Sequence, residues 1–125
     1  MDNITEMLDK AHAGDIEAQY KAATYIIYDI EPEKCDSDLI ERAIGYLKNA
    51  AMNNYFHGLA ATVLADLYYD GKYVDQDFRA AILWYRTSIL AMNPVGYFGM
   101  GRCYYHGHGV AKDYARAFDN FSRER

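Results

Sequence analysis

Leu64-Ala-Asp-Leu-Tyr-Tyr-Asp-Gly71-Lys-Tyr-Val74-Asp-Gln-Asp77 returns, slightly altered, as Met100-Gly-Arg-Cys-Tyr-Tyr-His-Gly107-His-Gly-Val110-Ala-Lys-Asp113. Matching positions are displaced by 36 residues, as from Gly71 to Gly107. A fixed period of roughly 20 to 50 residues is the sequence signature of a repeat architecture, in which similar units stack side by side. The two stretches therefore decide the fold class before any local pattern is considered.

A third, less regular copy precedes these two, in which Ala23 and Ala43 take the places of Ala65 and Ala81. The first pair is 20 residues apart and the second pair is 16 apart, so the first copy carries four extra residues. We place them in a surface loop around Pro32, because proline forces the residue before it out of helical geometry.

The chain of 125 residues is predicted to form one domain. A leading helix over 1–13 is followed by a degenerate repeat over 14–53, a repeat over 54–91 and a repeat over 92–125, which stops before the small residues that close the second helix in earlier copies. The unfinished outer face of the last copy makes a homo-oligomer through the ends of the array an expectation.

Each copy is predicted to form two antiparallel α-helices. Apolar residues of the first helix recur at i, i+4, i+5 and i+8, as in Ala60, Leu64, Ala65 and Tyr68. Gly71 and Gly107 can end this helix in a left-handed conformation, and Asp77 and Asp113 can cap the second helix. Gly101 lies in mid-helix, where glycine costs about 1 kcal/mol relative to alanine, so it indicates a close helix crossing.

The repeated pattern, A-x-x-x-L-G-x-x-Y-x-x-G-x-G-V-x-x-D-x-x-x-A-x-x-W-Y, resembles that of Sel1-like repeats, relatives of the tetratricopeptide repeat. The segment Tyr104–Asp113 is an almost complete match, and Ala80-Ala-Ile-Leu-Trp84-Tyr85 supplies the second-helix signature. The middle copy departs from the pattern at Lys72-Tyr73, and the first copy lacks the glycine loop. The resemblance implies an all-α fold, a right-handed α-α superhelix (solenoid) of antiparallel helix pairs. It also implies a non-enzymatic scaffold or adaptor that binds a protein or peptide through its concave face.

Composition excludes other classes of protein. The net charge is −5, and no run of Lys and Arg could follow a phosphate backbone, so nucleic acid binding is disfavoured. No stretch reaches the ~20 apolar residues of a membrane span, and the start lacks the order of a signal peptide. We therefore expect a cytoplasmic protein with no membrane partner. The two cysteines, Cys35 and Cys103, lie in different copies and are expected to be free thiols.

If the first helices lie as in the related tetratricopeptide fold, fixed offsets from Leu64 and its equivalents place residues on the concave face. The candidate partner-binding residues are Tyr20, Thr24, Tyr28, Thr62, Asp66, Tyr69, Phe98, Arg102, Tyr105 and His106. The same offsets add Glu17, Ile27, Leu59, Asp70 and Val95. Aromatic residues and arginine are enriched at binding hot spots. Each tyrosine could equally be a packing residue between helices, and Asp66 and Arg102 could form an ion pair.

Other functions remain as alternatives. A dedicated inhibitor or immunity-type factor would occlude one toxin or enzyme. A metalloprotein could use His106 and His108, but no third ligand stands at a recognisable spacing. A phosphate site is not supported, because the glycines of 96–109 follow no predicted strand. A hydrolase would need a nucleophile with a nearby base, and neither Cys103 nor any serine has such a motif. We therefore predict no catalytic residue, no metal and no cofactor.

Overall fold

The computed structural model describes residues 2–53 and 57–123 and, within them, all side chains but those of residues 2–4 and 57. Its α-helices are α1 (Asp2–His12), α2 (Ile16–Thr24), α3 (Ser37–Ala51), α4 (His57–Asp70), α5 (Phe78–Leu90), α6 (Val95–His106) and α7 (Tyr114–Arg123). The described residues form no β-strand, so the predicted all-α class is confirmed. None of these helices is long and apolar enough to cross a membrane.

The helices after α1 pack as three consecutive hairpins, α2 with α3, α4 with α5 and α6 with α7. Helix α3 also packs on α4, and α5 on α6, so the hairpins stack in chain order. Helices α4 and α6 touch each other directly, whereas α5 and α7 do not approach to a comparable extent. The first helices therefore line the inner face of the array, and the second helices form its outer face.

The core is built largely from small side chains. On α4, Ala60, Ala61, Leu64 and Ala65 are all buried, and this helix is covered by the hairpins on both sides. Because protein interiors are close-packed, small residues allow helix axes to approach each other. Helix α1 packs on α2 through Met7, Leu8 and Ala11 and so covers one side of the first hairpin.

The turns of the second and third copies follow the predicted rules. The carboxylate of Asp77 accepts a hydrogen bond from the Ala80 N–H at 3.1 Å, and that of Asp113 accepts one from the Arg116 N–H at 3.0 Å. Both acids thus satisfy backbone donors at a helix start. Gly107 ends α6 in the left-handed conformation, at φ 72°. The predicted caps are confirmed.

The first copy accommodates its extra residues by widening the end of its first helix. Tyr25–Asp29 forms a π-helical turn directly after α2, and Pro32–Lys34 forms one 3₁₀ turn before α3. Residues 31–34 are exposed, as expected of a surface loop. The Cys35 thiol donates to the Ile26 carbonyl at 3.5 Å, so the segment is held back onto α2 and its π turn. Sequence periodicity did not reveal the π turn, because it does not alter which residues are apolar.

Two glycines of α6 allow aromatic rings to lie directly on the helix backbone. A Cβ added at Gly101 would lie 2.5 Å from Cε1 of Phe121, so the predicted close crossing is confirmed. A Cβ at Gly99 would overlap the ring of Tyr85, which is fully buried on α5. At Gly45, on α3, an added Cβ would meet no atom of the described residues within 4 Å apart from its own helix backbone and chain neighbours.

We predict opposite effects of alanine at Gly99 and Gly45. Gly99→Ala should lower the free energy of unfolding by about 1–3 kcal/mol, because the buried Tyr85 ring must be displaced. Gly45→Ala should raise it by roughly 0.5–1 kcal/mol, since the helix gains propensity and nothing is crowded. Urea unfolding followed by circular dichroism measures both. Equal effects of the two substitutions would contradict the packing described for α6.

The two cysteines differ in environment. Cys103 is fully buried on α6, and burial raises the pKa of its thiol to about 11. Cys35 is half-buried at the edge of the first copy, and both cysteines are free. The thiolate is the reactive form of cysteine, so the two should differ in reactivity.

Alkylation of the folded protein at pH 8 should therefore modify Cys35 and leave Cys103 unmodified, because Cys103 is both inaccessible and protonated. Mass spectrometry of peptides after a timed iodoacetamide pulse gives the two rates. In guanidinium chloride both residues should react alike. Rapid modification of Cys103 without denaturant would show that α6 opens far more readily than its packing implies.

Candidate functional site

A groove lies on the inner face between α4 and α6, with a volume of about 210 Å³. We call it the central groove. Its lining residues are Asp66, Asp70, Tyr85, Val95, Phe98, Gly99 and Arg102. Tyr85 comes from the outer helix α5, and its ring passes over Gly99 to reach the groove. The groove thus draws on three helices of two neighbouring repeats.

A second depression of about 210 Å³ lies between α1 and α2. Its charged residues pair with each other, as Lys10 with Glu6 at 3.4 Å and Lys21 with Glu17 at 3.0 Å. Both are exposed pairs within one helix turn. The charges of this surface are already neutralised locally, and its lining contains no aromatic side chain, so the central groove is the better candidate site.

A hydrogen-bonded network closes the floor of the central groove. The Tyr85 hydroxyl donates to Asp66 Oδ1 at 2.5 Å and accepts from Arg102 Nη2 at 2.9 Å. Arg102 Nη2 also lies 3.7 Å from Asp66 Oδ1, so the expected ion pair is confirmed and Tyr85 bridges it. Hydrogen bonds to charged groups are stronger than those between neutral groups. The two bonds of the Tyr85 hydroxyl therefore fix Asp66 and Arg102 in place.

Burial determines how these groups ionise. Burial, with the neighbouring Asp66 carboxylate, raises the pKa of Tyr85 far above its usual range, so its hydroxyl keeps its proton and acts as the donor. The pKa of Asp66 is raised on balance, chiefly by burial, although the Tyr85 hydrogen bond and the Arg102 charge lower it. The Asp70 carboxylate adds a further rise to the pKa of Asp66.

Arg102 is held by aromatic rings as well as by charge. Its guanidinium carbon lies 4.1 Å from the ring centroid of Tyr69 and 5.4 Å from that of Phe98. Such stacking of a planar cation on rings is favourable. The Nε atom of Arg102 is buried without a hydrogen-bond partner in the described part of the chain. The side chain is therefore a fixed wall of the groove.

The tyrosines of α2 and its π turn lie beside the acidic side of the groove. Burial raises the pKa of Tyr28, and smaller rises come from the carboxylates of Asp66 and Asp70 and from Tyr20. Tyr28 is nevertheless 54% exposed. The ammonium of Lys72 lies 5.8 Å from the Tyr28 ring centroid, so this surface already receives a cation. The inner face thus continues from Arg102 towards Tyr28.

Some predicted residues do not face the groove. Thr62 is buried and its hydroxyl is hydrogen-bonded to Ser88 Oγ at 2.7 Å, so its assignment to the exposed stripe is corrected. Ile27 is buried in the core and is corrected in the same way. Thr24 is half-buried, and its hydroxyl donates to the Tyr20 carbonyl at 3.0 Å.

Tyr105 and His106 lie at the end of α6, where the structure turns them towards α7. The Tyr105 ring is 5.2 Å from that of Tyr114 and 6.4 Å from that of Phe118. The structure therefore brings Asp66, Tyr69, Phe98 and Arg102 together and leaves Tyr105 and His106 in a separate aromatic cluster.

His108 joins two repeats. Its ring stacks on Phe78 with centroids 4.2 Å apart, and its Nδ1 is hydrogen-bonded to the Tyr69 hydroxyl at 2.9 Å. The ring of His106 lies 5.2 Å away. Within residues 2–53 and 57–123, no three His, Cys, Asp or Glu side chains are grouped so as to hold a metal ion. The described contacts of His108 are those of a packing residue.

Sequence reasoning missed Tyr85 as a groove residue. The second-helix signature indicates a core position, which is correct for the ring but not for the hydroxyl. A buried tyrosine hydroxyl needs a polar partner, and that requirement was the available signal. The nearest polar groups on the inner helices are Asp66 and Arg102.

Comparison with known proteins agrees with the repeat pattern. A family model described as Sel1 repeat matches residues 16–55, 58–91 and 94–123. No curated protein sequence matches the chain significantly.

Three solved structures illustrate the similarity. A protective antigen of uropathogenic Escherichia coli strains, described as displaying an SLR fold, is 27% identical with a TM-score of 0.80. The match covers 97% of this chain but only 25% of that protein, so the chain spans a quarter of the antigen's length. A Sel1 repeat protein from Oxalobacter formigenes is 22% identical, with a TM-score of 0.81, over 96% of this chain and 87% of the other. Cysteine rich protein B of Helicobacter pylori is 21% identical, with a TM-score of 0.68, over 98% and 86%.

Removal of the bridging hydroxyl tests the network. Tyr85→Phe should lower the free energy of unfolding by about 1–2 kcal/mol, because Asp66 and Arg102 both lose a buried partner while the packing of the ring is kept. Tyr46→Phe is the matched control, since the Tyr46 hydroxyl has no hydrogen bond to another described residue. It should change stability by less than about 0.5 kcal/mol. Equal stabilities of the two variants in thermal unfolding would show that the network contributes nothing.

Proposed function

The chain belongs to the Sel1 repeat family, and on that premise we propose that it is a non-enzymatic adaptor that binds a protein or peptide partner along its inner face. Sel1-repeat proteins are generally protein-interaction scaffolds. The observation that carries the proposal is the central groove, in which exposed apolar side chains stand beside fixed charged ones.

The chemistry of the groove favours association with a protein. Val95 and Phe98 remain 48% and 45% exposed on α6, and both line the central groove beside its charged residues. An exposed apolar patch with a polar rim is typical of an interaction site. Arg102 is held in position by Tyr85, Tyr69 and Phe98 before any partner arrives. A preordered side chain loses little entropy on binding, so such a surface binds more tightly than a mobile one.

The groove also extends beyond one repeat. Tyr28 continues the inner face on the first copy, and Asp66 and Phe98 belong to the second and third copies. Stacked repeats form an extended surface of this kind, suited to a partner segment that runs across several helices. Aromatic residues at such positions commonly supply most of the binding energy.

The proposal predicts that exposed aromatics of the inner face are required for partner capture. The double variant Tyr28→Ala, Phe98→Ala should lower affinity for the partner at least about tenfold, because two hot-spot side chains are truncated. Affinity capture from a lysate of the source organism identifies proteins held by the native chain, and calorimetry with each purified candidate gives the loss.

Leu83→Ala is the matched control, because Leu83 is 62% exposed on the outer helix α5. It should retain the partner, and circular dichroism should show both variants folded. A partner that binds the double variant as tightly as the native chain would contradict the inner-face site. A single captured enzyme that loses its activity on binding would instead indicate the inhibitor function.

A further inference from the structure

We infer that the central groove receives a lysine or arginine side chain of the partner, followed closely in the partner's sequence by an apolar side chain. The inference rests on the proposed function, since it names the chemistry of the partner that the inner face would bind. It comes from the balance of charge within the groove and from the position of its apolar wall.

The charged residues that line the central groove are two aspartates and one arginine, so one negative charge is left without a partner. Asp66 is paired with Arg102, but Asp70 forms no ion pair with any residue that the structure describes. Asp66 and Asp70 are one helical turn apart on α4, and like charges at this spacing repel each other. A cation placed between the two carboxylates relieves this repulsion.

The position of Asp70 at the end of α4 also favours a positive charge nearby. It is the last residue of the helix, and the last turn contains no basic residue. A carboxylate at a helix carboxyl terminus lies against the negative end of the helix dipole, where a cation is favoured. A partner's ammonium or guanidinium group near Asp70 therefore interacts favourably with both the carboxylate and the helix end.

The opposite wall of the groove is apolar. Val95 and Phe98 stand on α6 across from the two acids of α4, and the Tyr85 ring, lying on Gly99, forms the floor between them. A volume of about 210 Å³ is below the roughly 300–1,000 Å³ of small-molecule sites, so it suits one or two side chains of a polypeptide. A cationic side chain on the α4 side and an apolar one against Phe98 would fill it.

A cation of the chain itself lies on the neighbouring surface. Lys72 lies 5.8 Å from the centroid of the Tyr28 ring and 5.3 Å from that of Tyr73. Tyr28 is also the side chain whose pKa the carboxylates of Asp66 and Asp70 raise. The chain thus already places one of its own ammonium groups against this acidic, aromatic face. An incoming lysine or arginine meets the same kinds of group around Asp70.

The test uses three fluorescein-labelled peptides, Gly-Ser-Xaa-Leu-Leu-Ser-Gly, in which Xaa is Lys, Gln or Glu. Fluorescence anisotropy with the intact chain at low salt should give the order of affinity Lys, then Gln, then Glu. The Lys peptide should bind up to about fivefold more tightly than the Gln peptide, the size of effect expected from one partly exposed ion pair. The difference should shrink in 0.5 M NaCl, because salt screens exposed charges.

Variants of the chain identify which residues cause the preference for the Lys peptide. Asp70→Asn should bring the affinities for the Lys and Gln peptides together, whereas Asp75→Asn, in the exposed loop before α5, should leave them apart. Phe98→Ala should weaken all three peptides to a similar extent, because it removes the apolar contact that their shared leucines make, while Tyr85 and Tyr69 still hold Arg102.

Equal affinities for the three peptides, an unchanged preference in Asp70→Asn, or no measurable binding of the Lys peptide would each overturn the inference. The proposed function fails separately, if partner capture does not depend on Tyr28 and Phe98. A partner lost in that double variant but indifferent to Asp70→Asn would leave the adaptor function standing and remove the cationic preference.

Discussion

The structure depends on one close contact, the ring of Tyr85 lying against the bare backbone of α6 at Gly99. The contact sets the distance between the second and third hairpins, because no larger residue fits beneath the ring. It also determines where the Tyr85 hydroxyl emerges, between Asp66 and Arg102. Core packing and the polar floor of the groove are therefore properties of the same side chain.

Contacts between repeats, as well as within them, order the inner face. Arg102 of the third copy stacks on Tyr69 of the second, and His108 stacks on Phe78 of the second. Each contact places a residue of the later repeat onto the earlier one. In a linear array, such nearest-neighbour interfaces supply much of the stability, since distant repeats do not touch.

The sequence predicted the elements that depend on local chemistry. Asp77 and Asp113 cap helices, Gly107 ends one and Gly101 marks a crossing, because each requirement is met within a few residues or by one missing Cβ. The groove was predicted less completely. The fixed offsets from Leu64 and its equivalents predicted roughly which side of each helix faces inward, but not the exact rotation of the helix about its axis. Thr62 and Ile27 were therefore placed on the surface although they are buried. Tyr85 was missed because its ring and its hydroxyl lie in different environments, and the π turn of the first copy leaves no trace in the periodicity.

Because the central groove is shared by α4, α5 and α6, it exists only while the last hairpin is docked on the one before it. Transient detachment of that hairpin would separate Asp66 from Arg102 and abolish the groove while the remaining helices stayed folded. An occupant would consequently act as a clamp, raising the free energy of that local opening by mass action. Occupancy of the central groove and the protection of the α6 amides from hydrogen exchange are therefore thermodynamically linked. Slower exchange of these amides can consequently report that the groove is occupied.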